Sequence, residues 1–235
     1  MTAAVASPGN APLAVPYITQ WSEERVSSVP VVHRRGGIAY ADERPGDRDE
    51  HGVLWIRESS RPHQGRPLFG KIHSRRQLRA ITKLLCQVCG GRADRNGDGI
   101  LWLVCEDPQR PDTWPDQLLI SDPPVCTDCA AKAVQLCPRL RRHYTALRVS
   151  AYKLLGVSGL LYLPGGRNLV APAGVAYEDP RVRWVKASQL IVRLDKFTIT
   201  NLDTRSANVA SSLSTATRPS APSPTTWRRP HRCWP

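Results

Sequence analysis

The sequence predicts an α+β fold in which small antiparallel hairpins and short helices gather around a module of paired cysteines. A disordered C-terminal tail follows. Three observations carry this expectation. Two Cys-x-x-Cys pairs, Cys86–Cys89 and Cys126–Cys129, are separated by 36 residues. Short apolar runs bounded by Gly, Pro, Asn and Asp recur along the chain, as strands do. Other stretches repeat their apolar residues at helical spacing behind recognisable caps.

The elements are predicted in order as follows. Residues 1–22 are Ala/Pro-rich and aperiodic, a flexible arm with a short extended piece at Val15–Ile18. Residues 36–59 form a hairpin of Gly37–Tyr40 and Gly52–Ile56, with the polar Asp42–His51 stretch as its turn. Residues 60–70 are a Pro/Gly loop. Ser74 caps a helix to Leu85 that aligns Leu78, Ile81, Leu84 and Leu85. Asn96-Gly97-Asp98-Gly99 is a tight turn feeding the apolar strand Ile100–Val104. A Pro/Asp-rich loop, 107–124, leads to a short helix, Thr127–Leu136, stopped by Pro138. Residues 144–163 form two strands joined near Gly156–Gly159. Asp179 and Pro180 open a helix with Trp184, Ala187, Ile191 and Leu194 as its buried stripe. Phe197–Leu202 is a last strand. From residue 203 onward, 16 of 33 residues are Ser, Thr or Pro, a composition that does not support a core. The expected organisation is thus an arm (1–22), one domain (23–202) and a tail (203–235).

Composition narrows the function classes. The chain has 235 residues, 41% hydrophobic, with net charge +13 and a pI near 9.9. That balance favours polyanionic partners. Arginine outnumbers lysine 27 to 6. Together with many Ala, Pro and Gly this looks like GC-rich coding, so the arginine excess is partly mutational. The sequence lacks a run of 18 apolar residues and a basic-then-apolar leader, so neither a membrane span nor a secretory signal is expected. Seven cysteines, four of them in Cys-x-x-Cys pairs, read as metal ligands in a reducing compartment, and a cytoplasmic protein is expected.

Zinc takes four thiolate or imidazole ligands in a tetrahedron. A Cys-x-x-Cys turn sets two sulfurs on one side of an ion, and a second pair completes the set. Cys86, Cys89, Cys126 and Cys129 are therefore the expected ligands of a Zn2+ ion. Four protein ligands leave no position for water, which marks a structural zinc rather than a catalytic one. Cys105, in an apolar strand, reads as a packed thiol. Cys137 is a spare ligand candidate, and Cys233 lies in the tail. The order of knuckle, hairpin and a second knuckle opening a helix resembles the treble-clef zinc finger over residues 84–138.

Other patterns are weaker. Asp94–Gly99 matches the first half of an EF-hand loop, but the position for its bidentate Glu is Cys105. Treble clefs include the His-Asn-His nucleases, whose catalytic histidine lies on the hairpin between the knuckles. Between Cys89 and Cys126 this chain has no histidine, and His73 and His143 fall outside. Trp55, Trp102 and Trp184 sit in apolar patterns and read as core.

Charge is segregated. Residues 59–93 hold eight Lys/Arg and no acid, and 129–177 hold seven and no acid. Residues 94–128 hold eight acids and two Arg. Arg75, Arg76 and Arg79 before the module, and Arg139, Arg141, Arg142 and Arg148 after it, are the expected phosphate contacts. The competing expectation is that they balance the negative zinc–thiolate centre.

Tyr17-Ile18-Thr19, Arg35–Ala41, Cys86-Gln-Val-Cys89-Gly90-Gly91 and Leu136-Cys137-Pro138 resemble a group of small actinobacterial proteins, chromosomal or phage- and plasmid-like. The resemblance runs over residues 15–202. Some proteins of this sort are regarded as regulators of secondary metabolism, which implies a DNA-linked role. The expectation is a non-enzymatic, zinc-binding nucleic-acid-binding or transcription-regulatory protein, with DNA as the favoured partner. The alternatives are a metal-dependent nuclease and a protein–protein adaptor braced by zinc.

Overall fold

The computed structural model describes residues 15–105, 118–163 and 169–202, with backbone alone for 169–173. The expected tail and most of the arm lie outside these residues, as does most of the 107–124 loop.

The described chain is mixed α+β, mostly strand, with two α-helices. Its strands are β1 (Thr19–Trp21), β2 (Val31–Arg34), β3 (Gly37–Tyr40), β4 (Leu54–Trp55), β5 (Pro67–Ile72), β6 (Arg95–Asn96), β7 (Gly99–Val104), β8 (Leu118–Ile120), β9 (Thr145–Tyr162), β10 (Leu169–Ala176) and β11 (Val185–Thr200). The helices are α1 (Ser74–Thr82) and α2 (Thr127–Leu136).

The long strands β9 and β11 form an antiparallel pair at the centre of one sheet. Beyond β9, β7 pairs with its first third and β10 with its last. Beyond β11, β4 pairs in parallel at Lys186 and Ala187, and β8 antiparallel at Val192–Leu194. Helix α1 packs against β11. β1 with β5, and β2 with β3, form two small separate ribbons.

Several expectations change. Residues 144–163 are one continuous strand, not two. Gly156 and Gly159 are there because the neighbouring backbones come close: a Cβ would lie 2.1 Å from the Val175 carbonyl oxygen at one and 2.1 Å from that of Lys186 at the other. The helix expected after Asp179 is a 3-10 turn, Pro180–Trp184, which Asp179 does cap through the Arg181 N–H at 2.8 Å. The chain then runs on as β11, which also absorbs the expected last strand. β3 pairs with β2 rather than with the 52–56 segment, because Arg35-Gly36 closes the tighter turn. The 60–70 loop ends in β5, and its partner β1, which falls inside the expected arm, is a buried strand. The N-cap of α1 is His73, not Ser74, and Leu84, at φ 51°, ends the turn beyond it.

Strand β7 separates two cores. Ile100, Trp102 and Val104 join the larger one, with Ile81, Leu147, Val149, Leu190, Val192 and Leu194. Leu101 and Leu103 join the smaller one, with Cys86, Val88, Val125, Ala130, Ala133, Cys137, Leu140 and Ala146. Of the tryptophans expected as core, Trp55 and Trp102 are fully buried and Trp184 is half-buried.

Candidate metal centre and the basic turn

The first cysteine pair sits in a tight turn directly after α1. Leu85 bridges Arg92, the Cys86 N–H donates to the Gly91 carbonyl at 2.7 Å, and the Gly90 N–H donates to that of Cys86 at 2.8 Å. Gly90 has φ +72°, and a Cβ there would meet the Tyr17 ring at 2.9 Å. Tyr17, two residues before β1, thus covers the turn, and its N–H donates to the Val88 carbonyl at 2.9 Å. Nothing in the Cys-x-x-Cys pattern points to Tyr17.

The second pair arrives through backbone bonds to the first. The Gln87 N–H donates to Pro124 at 2.9 Å, Val125 to Leu101 at 2.9 Å, and Asp94 to Val125 at 3.0 Å. Cys126 is the N-cap residue of α2 and Cys129 lies in its first turn. The unpaired N–H groups and positive dipole end of a helix N-terminus favour thiolate there.

The four sulfurs lie within 4.8 Å of one another. Cys89 Sγ and Cys126 Sγ are 3.9 Å apart. Disulfide sulfurs sit at about 2.05 Å, so no bond joins them. A tetrahedral ion with bonds of about 2.3 Å would space its sulfurs roughly 3.8 Å apart. The cluster therefore fits a metal ion. Of the four, Cys86 is buried and Cys89 exposed.

Charge argues in the same direction. Burial pushes the Cys86 thiol up to about 11, although the N–H groups of Cys89, Cys126 and Val88 pull against it. Burial and the neighbouring sulfurs raise Cys129 further. Burial acts on Cys89 too, but the Gly91 N–H and the other three thiols outweigh it and lower its pKa. Four thiolates this close repel one another, and a bound divalent cation would offset that charge. Cys137, the spare candidate, is buried in the smaller core and is not in the cluster; Cys105 packs at that core's margin.

The expected phosphate contacts divide. Arg76 is buried, and its guanidinium donates to both oxygens of Glu24, at 2.6 and 2.7 Å, and to the Thr19 carbonyl at 2.7 Å. It is part of the fold, not a surface cation. Arg148 is ion-paired with Asp94, and Arg75 donates to the Gly46 carbonyl at 2.7 Å. Arg79 is exposed. Arg139, Arg141 and Arg142 are all exposed, and among the described residues no carboxylate pairs with them. His73 is buried beside Glu24 and Glu58 as the α1 cap, whereas His143 is exposed. The Asp94–Gly99 stretch is the expected hairpin turn between β6 and β7.

Among the described residues, no helix is long and apolar enough to cross a membrane. No protein-family model, no curated protein and no solved structure matches the chain.

Proposed function

We propose that the protein is a zinc-stabilised nucleic-acid-binding factor, with DNA its favoured partner and regulation of transcription its role. Cys86, Cys89, Cys126 and Cys129 hold a structural Zn2+ ion in a treble-clef-like module spanning residues 84–138. The free thiols of this site belong to a reducing compartment such as the cytoplasm.

The observation that carries this reading is the placement of the two sites on one helix. The cysteine cluster lies at the N-terminal end of α2. Arg139, Arg141 and Arg142, exposed and without a carboxylate partner among the described residues, follow its C-terminal end. An ion that pins the start of this short helix also fixes where those guanidiniums stand. Arg79, exposed on α1, is a further surface cation. Arg76 and Arg148 are not, because their charge is already matched inside the fold.

The test is metal analysis of the purified protein beside a DNA titration across salt. The expected outcome is one zinc per chain and an affinity that falls steeply as salt rises, since each neutralised phosphate releases counterions. A protein that carries zinc yet binds no nucleic acid would favour the adaptor alternative. Plasmid cleavage with added divalent metal, lost on His143→Ala, would favour the nuclease.

A further inference from the structure

We propose that the turn after α2 is a docking platform for single-stranded nucleic acid. Arg139, Arg141 and Arg142 meet the phosphates, and Tyr144, aided by Leu136, stacks on unpaired bases. This rests on the nucleic-acid reading above and names the form of nucleic acid that the site takes.

The turn is held by its own backbone hydrogen bonds and is one-sided. The Arg141 N–H donates to the Cys137 carbonyl at 2.9 Å, and the N–H groups of Arg142 and His143 donate to that of Arg139 at 3.1 and 3.2 Å. Cys137, 2% exposed, and Leu140, 1% exposed, plug it into the smaller core. With those side chains inward, Arg139, Arg141, Arg142, His143 and Tyr144 are left at the surface within six residues. Local backbone bonds and a buried anchor thus hold the cations together before any ligand arrives.

The apolar surface lies in the same place. Two of the five large hydrophobic side chains exposed among the described residues flank this turn: Leu136 at 41% and Tyr144 at 38%. A basic turn bordered by an exposed ring is the combination that binds single strands, with cations on the backbone and stacking on the bases.

Duplex readout needs something different. A helix in the major groove presents a row of outward side chains to base edges. The outward residues of α2 include Thr127, Asp128, Lys132 and Gln135, one acid and one base, and its first turn lies at the cysteine cluster. In a duplex the base faces are already stacked, so Tyr144 would find nothing to stack on. In a single strand every base offers a face.

The experiment uses the zinc-loaded full chain and fluorescence anisotropy. The probes are a labelled oligothymidylate of about 20 nucleotides and a duplex of the same length. The single strand should bind more tightly. Tyr144→Ala should weaken single-strand binding roughly ten-fold, the scale of one lost stacking contact, and duplex binding less than about two-fold. Tyr144→Phe, which keeps the ring, should restore the affinity. The Arg139→Ala/Arg141→Ala/Arg142→Ala variant should reduce the single-strand salt slope by about 2, at roughly 0.7 per phosphate. Zinc content and melting temperature should match the parent in each variant. Equal binding of both probes with a neutral Tyr144→Ala would overturn this inference and leave the nucleic-acid reading standing. Binding of neither probe would overturn both.

Discussion

Leu101 and Trp102 are neighbours on β7, yet they look into different cores. On the Trp102 side, large side chains from β7, β9, β11 and α1 form a continuous apolar layer. On the Leu101 side, two of the ten buried residues are cysteines and three are alanines. Burial stabilises by about 25 cal/mol per Å² of apolar surface, so small side chains contribute little. The smaller core also borders four thiols that resist ionising together. The larger core can hold itself by packing, whereas the smaller one needs a bond of another kind. Metal coordination by the four cysteines would supply it at the edge where apolar area runs short.

Removing the metal should break the two sides apart, and this is the largest expected effect. Structural zinc is worth about 10–16 kcal/mol in finger peptides, against roughly 5–15 kcal/mol for a whole domain. Cys126→Ala, or strong chelation, should open the cysteine turn and α2. Hydrogen exchange should show the amides of Cys86, Gly90 and Ala130 losing protection while the β9–β11 ladder retains it. Simultaneous loss on both sides would mean that β7 joins them into one cooperative unit.

Single cavities should then distinguish the two cores. Trp102→Ala should cost about 3–5 kcal/mol in denaturant unfolding and leave zinc affinity unchanged. Leu101→Ala should cost about 2–5 kcal/mol and also weaken zinc binding in a chelator competition. Equal effects on zinc would erase the distinction.

Polar anchors on the larger side come next. Glu24 accepts from Arg76 and from the N–H groups of Trp21 and Arg61. Glu24→Gln should destabilise by about 3–5 kcal/mol at neutral pH, because it leaves Arg76 buried and unpaired. Burial raises the Glu24 carboxyl, but Arg76 and those two N–H groups outweigh it and hold it below its ordinary value of 4.5. Its contribution is therefore complete above that value and is lost as pH falls through the lower folded one. A stability–pH profile should show this acid limb shrink in Glu24→Gln.

Gln77 is fully buried, donates to the carbonyls of Ser121 and Leu190, and accepts from the Leu190 N–H. Gln77→Ala should cost about 1–3 kcal/mol for each group left unpaired, read from thermal melting. The smallest effect belongs to the basic turn. Replacing Arg139, Arg141 and Arg142 by Ala should move stability by no more than about 0.5 kcal/mol, since all three are exposed and none has a carboxylate partner among the described residues.

The candidate site was legible where it is local. Each Cys-x-x-Cys pair closes over four residues, the Asn96–Gly99 turn closes over four, and α2 carries its own stop at Pro138. The cations were legible as a list but not as a surface. Arg76 and Arg142 look alike in sequence, and only the buried Glu24, 52 residues from Arg76, separates them. The first part of β11, up to Leu194, carries a helical spacing in sequence for a physical reason. Register shifts between Ala187 and Gln189 and between Ile191 and Val192 spoil the two-residue alternation that reveals a strand. The cap at Asp179 is real, but it serves only the 3-10 turn.

By itself the sequence determined the four thiols, the turns that pair them, the excess of positive charge and the placement of three arginines after a short helix. These depend on spacing along a few residues. Tertiary structure decided that the two cysteine pairs meet, that β7 divides two unlike cores, and that Arg76 and Arg148 are matched inside while Arg139, Arg141 and Arg142 stay exposed. Those outcomes depend on which distant segment reaches each side chain, and pairing between strands far apart in the chain settles that, not local preference.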